Sequence, residues 1–256
     1  MSEDRPAVTA RGLVSLAVAL CGIGSILGLM VYAQLQRPKL DEKGCPVGGA
    51  TGALTVMVVD QSDPFERADR EEIHDRVRRW RLASQLHDRF MLVVPRTSNP
   101  FEPDIRFDRC APQNPETANR MIVTTSKLDE PWRVFAEAQD REIKRVAAEQ
   151  SAIATPLLET LVAIAREPVF RGATQRRIVL LSDLMQNSEA ANFYRRVPAV
   201  PDMEAAGLAP PASLTGAEVE IHYAARHTAR VRNPAVMAFW RKWFSVRKAE
   251  IKELVE

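Results

Sequence analysis

The sequence predicts an α/β protein: a doubly wound, mostly parallel sheet flanked by helices, Rossmann-like, preceded by one transmembrane helix. Three observations predict it. Short β-branched runs, TVMVV at 55–59, FMLVVP at 90–95 and RIVLLS at 177–182, are apolar on successive residues, as strands buried on both faces must be. Segments with apolar residues at helical spacing separate these runs, and strands alternating with helices build parallel sheets. At the amino end, 13–33 (LVSLAVALCGIGSILGLMVYA) runs for 21 residues without a charge.

The elements follow in chain order. Residues 1–12 are a tail, 13–35 the transmembrane segment, 36–53 a Gly-, Pro- and charge-rich linker, and 54–256 the α/β domain. As a helix, 13–33 would be about 31 Å long, the thickness of a bilayer's hydrocarbon core. A secretory signal would have a shorter apolar run ending in a small-residue cleavage site. Tyr32-Ala33-Gln34-Leu35 is a poor one, so the segment reads as an uncleaved anchor. Within the domain, strand 55–59 precedes a helix over 66–87 with Ile73, Val77, Trp80 and Ser84 on one face. After strand 90–95, residues 98–130 read as a long Pro-rich loop with an edge strand at 104–107. Pro131 opens a helix with Trp132, Phe135, Ile143 and Val146 as its stripe. A helix over 155–165 takes Thr155 as its N-cap and Pro156 in its first turn. Strand 177–182, a short helix over 190–196, a Pro- and Ala-rich loop over 197–216 and strand 219–223 come next. A closing helix over 234–255 carries Val236, Trp240, Trp243, Ile251 and Leu254 on one side.

Composition excludes several function classes. With 35 basic and 33 acidic residues the formal net charge is +2, without the basic excess of a nucleic-acid binder. Three cysteines are too few for a disulfide-dense mini-domain or a structural zinc site. The bilayer is the partner expected for 13–35. Gly24 and Gly28 form a small-xxx-small pair through which two such helices could associate, so a homo-oligomer is allowed.

Two signals compete over orientation. Arg5 and Arg11 precede the span, and Arg37, Lys39 and Lys43 follow it, a near tie that slightly favours a cytoplasmic domain. Cys45 and Cys110 point the other way, because a disulfide between them would require an oxidising compartment. The expectation is a single-pass membrane protein whose main domain is exported, periplasmic or extracellular.

In doubly wound sheets, sites lie beyond the carboxyl ends of the strands. Three polar clusters fall there: Asp60-Gln61-Ser62-Asp63-Pro64 after the first strand, Thr155-Pro156-Leu157 at a helix start, and Ser182-Asp183-Leu184 after the third long strand. Carboxylates and hydroxyls are hard oxygen donors and suit Mg²⁺ or Mn²⁺. Taken singly, the same residues serve as ordinary caps and turn formers.

The combination resembles the von Willebrand factor A (integrin I-like) family, with a variant metal-ion-dependent adhesion site. That site uses an Asp-x-Ser-x-Ser turn after the first strand, a Thr in a Thr-Pro-Leu helix start, and an Asp after a later strand. Here Asp60 and Ser62 match the first motif, Thr155 in ATPLLETL the second and Asp183 in VLLSDLMQNS the third, over roughly 54–254. The resemblance implies a module that binds a protein partner at the carboxyl edge of its sheet through a Mg²⁺ or Mn²⁺ ion held by Asp60, Ser62, Thr155 and Asp183. It implies a scaffold or assembly role and no catalysis. Two departures stand out. Pro64 replaces the second Ser and offers no hydroxyl, and Leu184 replaces the Gly that usually follows the last Asp. Asp63 is a substitute oxygen donor.

Catalytic readings are weaker. Asp60-Gln61-Ser62 lacks the second carboxylate of an Asp-x-Asp phosphotransferase turn. No Gly-rich phosphate loop and no Gly-x-Ser-x-Gly elbow is present. His74, His87, His222 and His227 show no metal-ligand spacing, and Cys110 has no evident basic partner. A metal-dependent hydrolase on Asp60 and Asp183 remains an alternative without a general base. A structural anchor with a vestigial site is the other.

Overall fold

A computed structural model describes residues 10–35, 38–48, 52–62, 64–118, 126–149, 154–223 and 234–253. The chain divides into two compact units, Met1–Lys39 and Leu40–Glu256. The first is helix α1 (Ala10–Leu35). Its described side chains, 18–32, are all exposed, from Val18 to Tyr32. Among the described residues no helix is long and apolar enough to cross a membrane.

The second unit is a mixed α/β fold. Strands β1 (Ala53–Val59), β2 (Arg89–Val94), β3 (Asp104–Cys110), β4 (Gln175–Ser182), β5 (Glu218–Tyr223) and β6 (Glu250–Glu253) form one sheet. Their order is β3-β2-β1-β4-β5-β6. All neighbours are parallel except β3, which runs antiparallel to β2 at one edge. This is the doubly wound order 3-2-1-4-5-6, whose strand sequence reverses between β1 and β4. The apolar runs behave as expected: β1, β2 and most of β4 are buried on both faces.

Helices α2 (Arg67–Ala83) and α3 (Ser126–Ala148) cover one face, where Met57, Val59, Phe90, Leu92 and Leu181 meet Ile73, Val77, Phe135 and Ile143. Buried Arg81 ties the two helices together. Its Nη1 donates to the Ala136 carbonyl, to Gln139 Oε1 and, at 2.7 Å, to Asp140 Oδ1. The other face carries α4 (Leu157–Arg166), the short α5 (Pro168–Gly172) and α7 (Pro234–Ser245). Between β4 and β5, the chain forms only the one-turn α6 (Asp202–Ala205) and a 3-10 turn (Ala212–Leu214). Trp240 and Trp243 of α7 are wholly buried, and their indole N–H groups donate to the carbonyls of Leu184 and Leu208.

Four elements differ from expectation. The closing helix stops at Ser245; Lys248 takes φ 53°, and 250–253 become β6 instead of a last helical turn. Residues 190–196 form no helix, since a bridge pairs Asn187 with Asn192 and Asn192 Oδ1 accepts from the N–H groups of Tyr194 and Arg195. Helix α3 begins at Ser126, so Pro131 lies inside it and Lys127 loses its i+4 donor. Strand β3 reaches Cys110, where only 104–107 was expected.

Residues 40–46, read as linker, are fastened to the sheet. A disulfide joins Cys45 to Cys110, the Cys110 N–H donates to the Lys43 carbonyl, and Lys43 Nζ meets Asp108 at 2.6 Å. Asp108 also takes both arms of Arg89 at 2.6 and 2.7 Å. Burial pushes the Asp108 carboxyl up, but Arg89 and Lys43 together hold it below its ordinary value. Because Cys110 pairs with Arg89, the first residue of β2, this fastening lies at the amino edge of the parallel strands.

Candidate functional site

Register builds the carboxyl edge. Val59 of β1 pairs with Leu181 of β4, so Asp60 and Ser182 leave the two central strands side by side at the switch point. The Asp60 N–H extends the ladder by donating to the Leu181 carbonyl at 3.0 Å. With the backbone fixed in this way, the Asp60 carboxylate is fully buried and becomes an acceptor hub. Its Oδ1 accepts from the Thr155 hydroxyl at 3.1 Å and from the Ser62 N–H at 2.9 Å. Its Oδ2 accepts from the Ser182 hydroxyl at 2.7 Å. With three hydrogen-bond donors on it, the buried side chain has its polar atoms satisfied.

Thr155 is not the N-cap of α4. Pro156 holds that position with no side-chain bond, and the Thr155 hydroxyl turns to Asp60 instead. The loop after β4 keeps Thr155 in place. Asn187 donates its N–H to the Thr155 carbonyl at 3.0 Å, and Gln186 Oε1 accepts from the Leu158 N–H at 2.9 Å. Gln186 Nε2 donates to buried Glu159 at 2.9 Å. From the β2 side, the Thr97 hydroxyl donates to the Ala154 carbonyl.

Asp183 is buried beside Ser182, and its Oδ1 accepts from the Met185 N–H at 2.9 Å. Leu184 follows with φ 64°, a left-handed conformation that glycine adopts without strain. Leu184 holds it with its N–H on Ser182 Oγ, its carbonyl on Trp240 Nε1 and its side chain fully buried.

Of the four candidates, Asp60, Ser62 and Thr155 are joined by direct hydrogen bonds, and Asp183 adjoins them through Ser182. Asp63 and His227 lie outside the described residues. His222 lies on β5, its Nε2 3.9 Å from Glu220. Sequence reasoning passed over Ser182 as a hub member and Gln186 as the brace of α4. The serine that ends β4 next to Asp183 was a readable signal. Gln186 had none, because its role depends on how the loop folds back.

Donor chemistry decides whether the site suits a divalent cation. Asp60, Ser62, Thr155 and Asp183 offer only hard oxygens. Thr155 gives its one proton to Asp60, which leaves its oxygen lone pairs available. Pro64 offers no side-chain oxygen. Among the described residues no group of three or more His, Cys, Asp or Glu side chains is placed to hold an ion. Among the described residues charge would thus come from the carboxylates of Asp60 and Asp183. By donor chemistry alone the set is of the kind that Mg²⁺ or Mn²⁺ takes.

No protein-family model and no curated protein matches the chain.

Proposed function

We propose that the chain is a single-pass, membrane-anchored binding module of the von Willebrand A type. It captures a protein partner at the carboxyl edge of its sheet through a site centred on Asp60 and loaded with Mg²⁺ or Mn²⁺. The observation that carries this reading is the convergence of the Thr155 and Ser182 hydroxyls and the Ser62 N–H on buried Asp60. It lies at the switch point of a 3-2-1-4-5-6 sheet, where ligands of doubly wound folds bind. A bound ion would supply an electrophilic coordination position for a partner carboxylate. Asp60 would neutralise it, Thr155 and Ser62 would contribute neutral oxygens, and Asp183 the second charge.

The uncharged run at 13–33 supports anchorage in a bilayer. The Cys45–Cys110 disulfide supports an exported domain, because such bonds persist in oxidising compartments.

The test places a photo-crosslinking residue in the full-length protein in its native membrane, at exposed Ser98 beyond the carboxyl end of β2 and at Arg171 on the opposite edge. The reading predicts a discrete partner adduct from 98, lost on chelation and in Asp183→Ala, with none from 171. Adducts that are equal from both positions, or indifferent to chelator and to Asp183→Ala, would refute it.

A further inference from the structure

Helix α2 leaves a gap over the sheet. Between its second half and strands β1, β2 and β4 lies a cavity of about 230 Å³, next to a polar cleft of about 640 Å³. The two share Thr55, Trp80, Ala83 and Arg177, so the cleft is a way in. The cleft lies beside the first residues of β1 and β4, the far end of the strands from Asp60, and the cavity lies along their middle, at Thr55, Met57, Arg177 and Val179.

The cavity has two kinds of wall. One is apolar: Met57, Phe90 and Val179 from the sheet, and Trp80, whose ring centroid is 4.7 Å from that of Phe90. The other is cationic. Arg76 and Arg79 come from α2 and Arg177 from β4, against a single lining carboxylate, Glu220. Glu220 is held below its ordinary value by His222 and, secondarily, by Arg177, so it is ionised and leaves an excess of cations in the lining.

These guanidiniums have donors to spare. Arg76 reaches Glu72 with Nη2 at 2.6 Å, while its Nε is buried without a hydrogen-bond partner. Arg79 shares the same Glu72 at 3.6 Å. Arg177 gives Nε and Nη2 to one oxygen of Glu218, and its Nε also lies 3.5 Å from the lining Glu220. Neither Glu72 nor Glu218 lines the cavity. A guanidinium carries five N–H donors in a fork that matches planar oxyanions.

We propose that this cavity binds a small amphipathic oxyanion, a phosphate or carboxylate borne on a flat apolar body. The body lies against Met57, Phe90, Val179 and Trp80. The oxyanion takes donors from Arg76, Arg79 and Arg177. A volume just under the usual range for small-molecule sites limits the ligand to about one ring. The site is separate from the carboxyl edge and does not depend on how that edge functions.

The test titrates the full-length protein in detergent micelles with phenyl phosphate, benzoate, inorganic phosphate and phenol at constant ionic strength, reading tryptophan fluorescence and the melting temperature. Saturable binding of phenyl phosphate or benzoate is expected, at least tenfold tighter than inorganic phosphate or phenol. The tighter of the two identifies the anion. The signal should vanish in Trp80→Phe. Affinity should fall at least tenfold in Arg76→Gln/Arg79→Gln and stay unchanged in Arg78→Gln, an exposed neighbour outside the lining. No saturation in the wild type overturns the proposal without any variant. Phenol binding as tightly as benzoate, or the Arg76/Arg79 variant binding normally, overturns it too.

Discussion

Leu184 offers a prediction whose sign is set by backbone geometry. At most positions Gly is less stable than Ala, by roughly 0.5–1 kcal/mol, because it gives up more chain entropy. Leu184 sits at φ 64°, where a residue with a Cβ carries about 1–2 kcal/mol of strain. Leu184→Ala empties a fully buried volume, at a cost of about 3–5 kcal/mol, and Leu184→Gly empties that volume and one methyl more. Only Gly relieves the strain. Subtracting its entropy cost from that relief leaves Gly between level with Ala and about 1.5 kcal/mol more stable, where it is ordinarily the less stable of the two. For a domain of this size that is a difference of up to about 6 °C in melting temperature. The assay is a thermal melt of both variants in the full chain, followed by near-ultraviolet circular dichroism, to which Trp240 contributes through its bond to the Leu184 carbonyl. If Ala melts above Gly by the ordinary margin, the left-handed conformation carries no strain and the reasoning fails.

Two further predictions concern the amino edge. Asp108 has a lowered folded-state pKa, so the stability it contributes is present above its ordinary value of 3.8 and is lost as pH falls through the lower folded value. Between pH 5 and pH 2, Asp108→Asn should therefore lose less stability than the wild type. At neutral pH it should be about 1.5–3 kcal/mol less stable, because it leaves half-buried Arg89 with no carboxylate. Equal acid sensitivity of variant and wild type would count against the pair. Replacing both Cys45 and Cys110 with Ser opens a loop spanning 65 residues, for which chain entropy gives a loss of about 4 kcal/mol. A melt unchanged by the double variant or by reductant would mean that Lys43 and its neighbours hold residues 40–46 unaided.

How much of this was legible depends on where the information lies. The central strands could be read because β1, β2 and β4 are buried on both faces and need continuous apolar runs. Strand β6 could not. Ile251 continues the helical spacing of Trp240 and Trp243, and the break falls on Lys248, whose left-handed φ has no glycine to announce it. The false helix over 190–196 failed for a related reason: the asparagines at 187 and 192 bond to each other and to turn N–H groups, and outcompete a helix too short to be stable alone. At the site, Asp60, Ser62 and Thr155 were visible because the carboxyl-end rule and the three motifs converge on them. Thr155 was misjudged as a cap because a Thr before a Pro looks like one locally. Only the register of β1 against β4 reveals that Asp60 competes for its hydroxyl.

The claim that the Asp60 hub is a cation-dependent capture site is tested most directly by melting the full-length protein with and without 10 mM Mg²⁺ or Mn²⁺ (about 100 times a dissociation constant of ~0.1 mM), beside Asp60→Ala and Asp183→Ala. At that ratio a ligand of the folded state adds about 2.7 kcal/mol, or about 5–10 °C for a domain of this size. The account predicts a shift of that order in the wild type, abolished in both variants and reversed by chelator. A wild-type melt indifferent to both ions, or a shift that survives in Asp60→Ala, would contradict it.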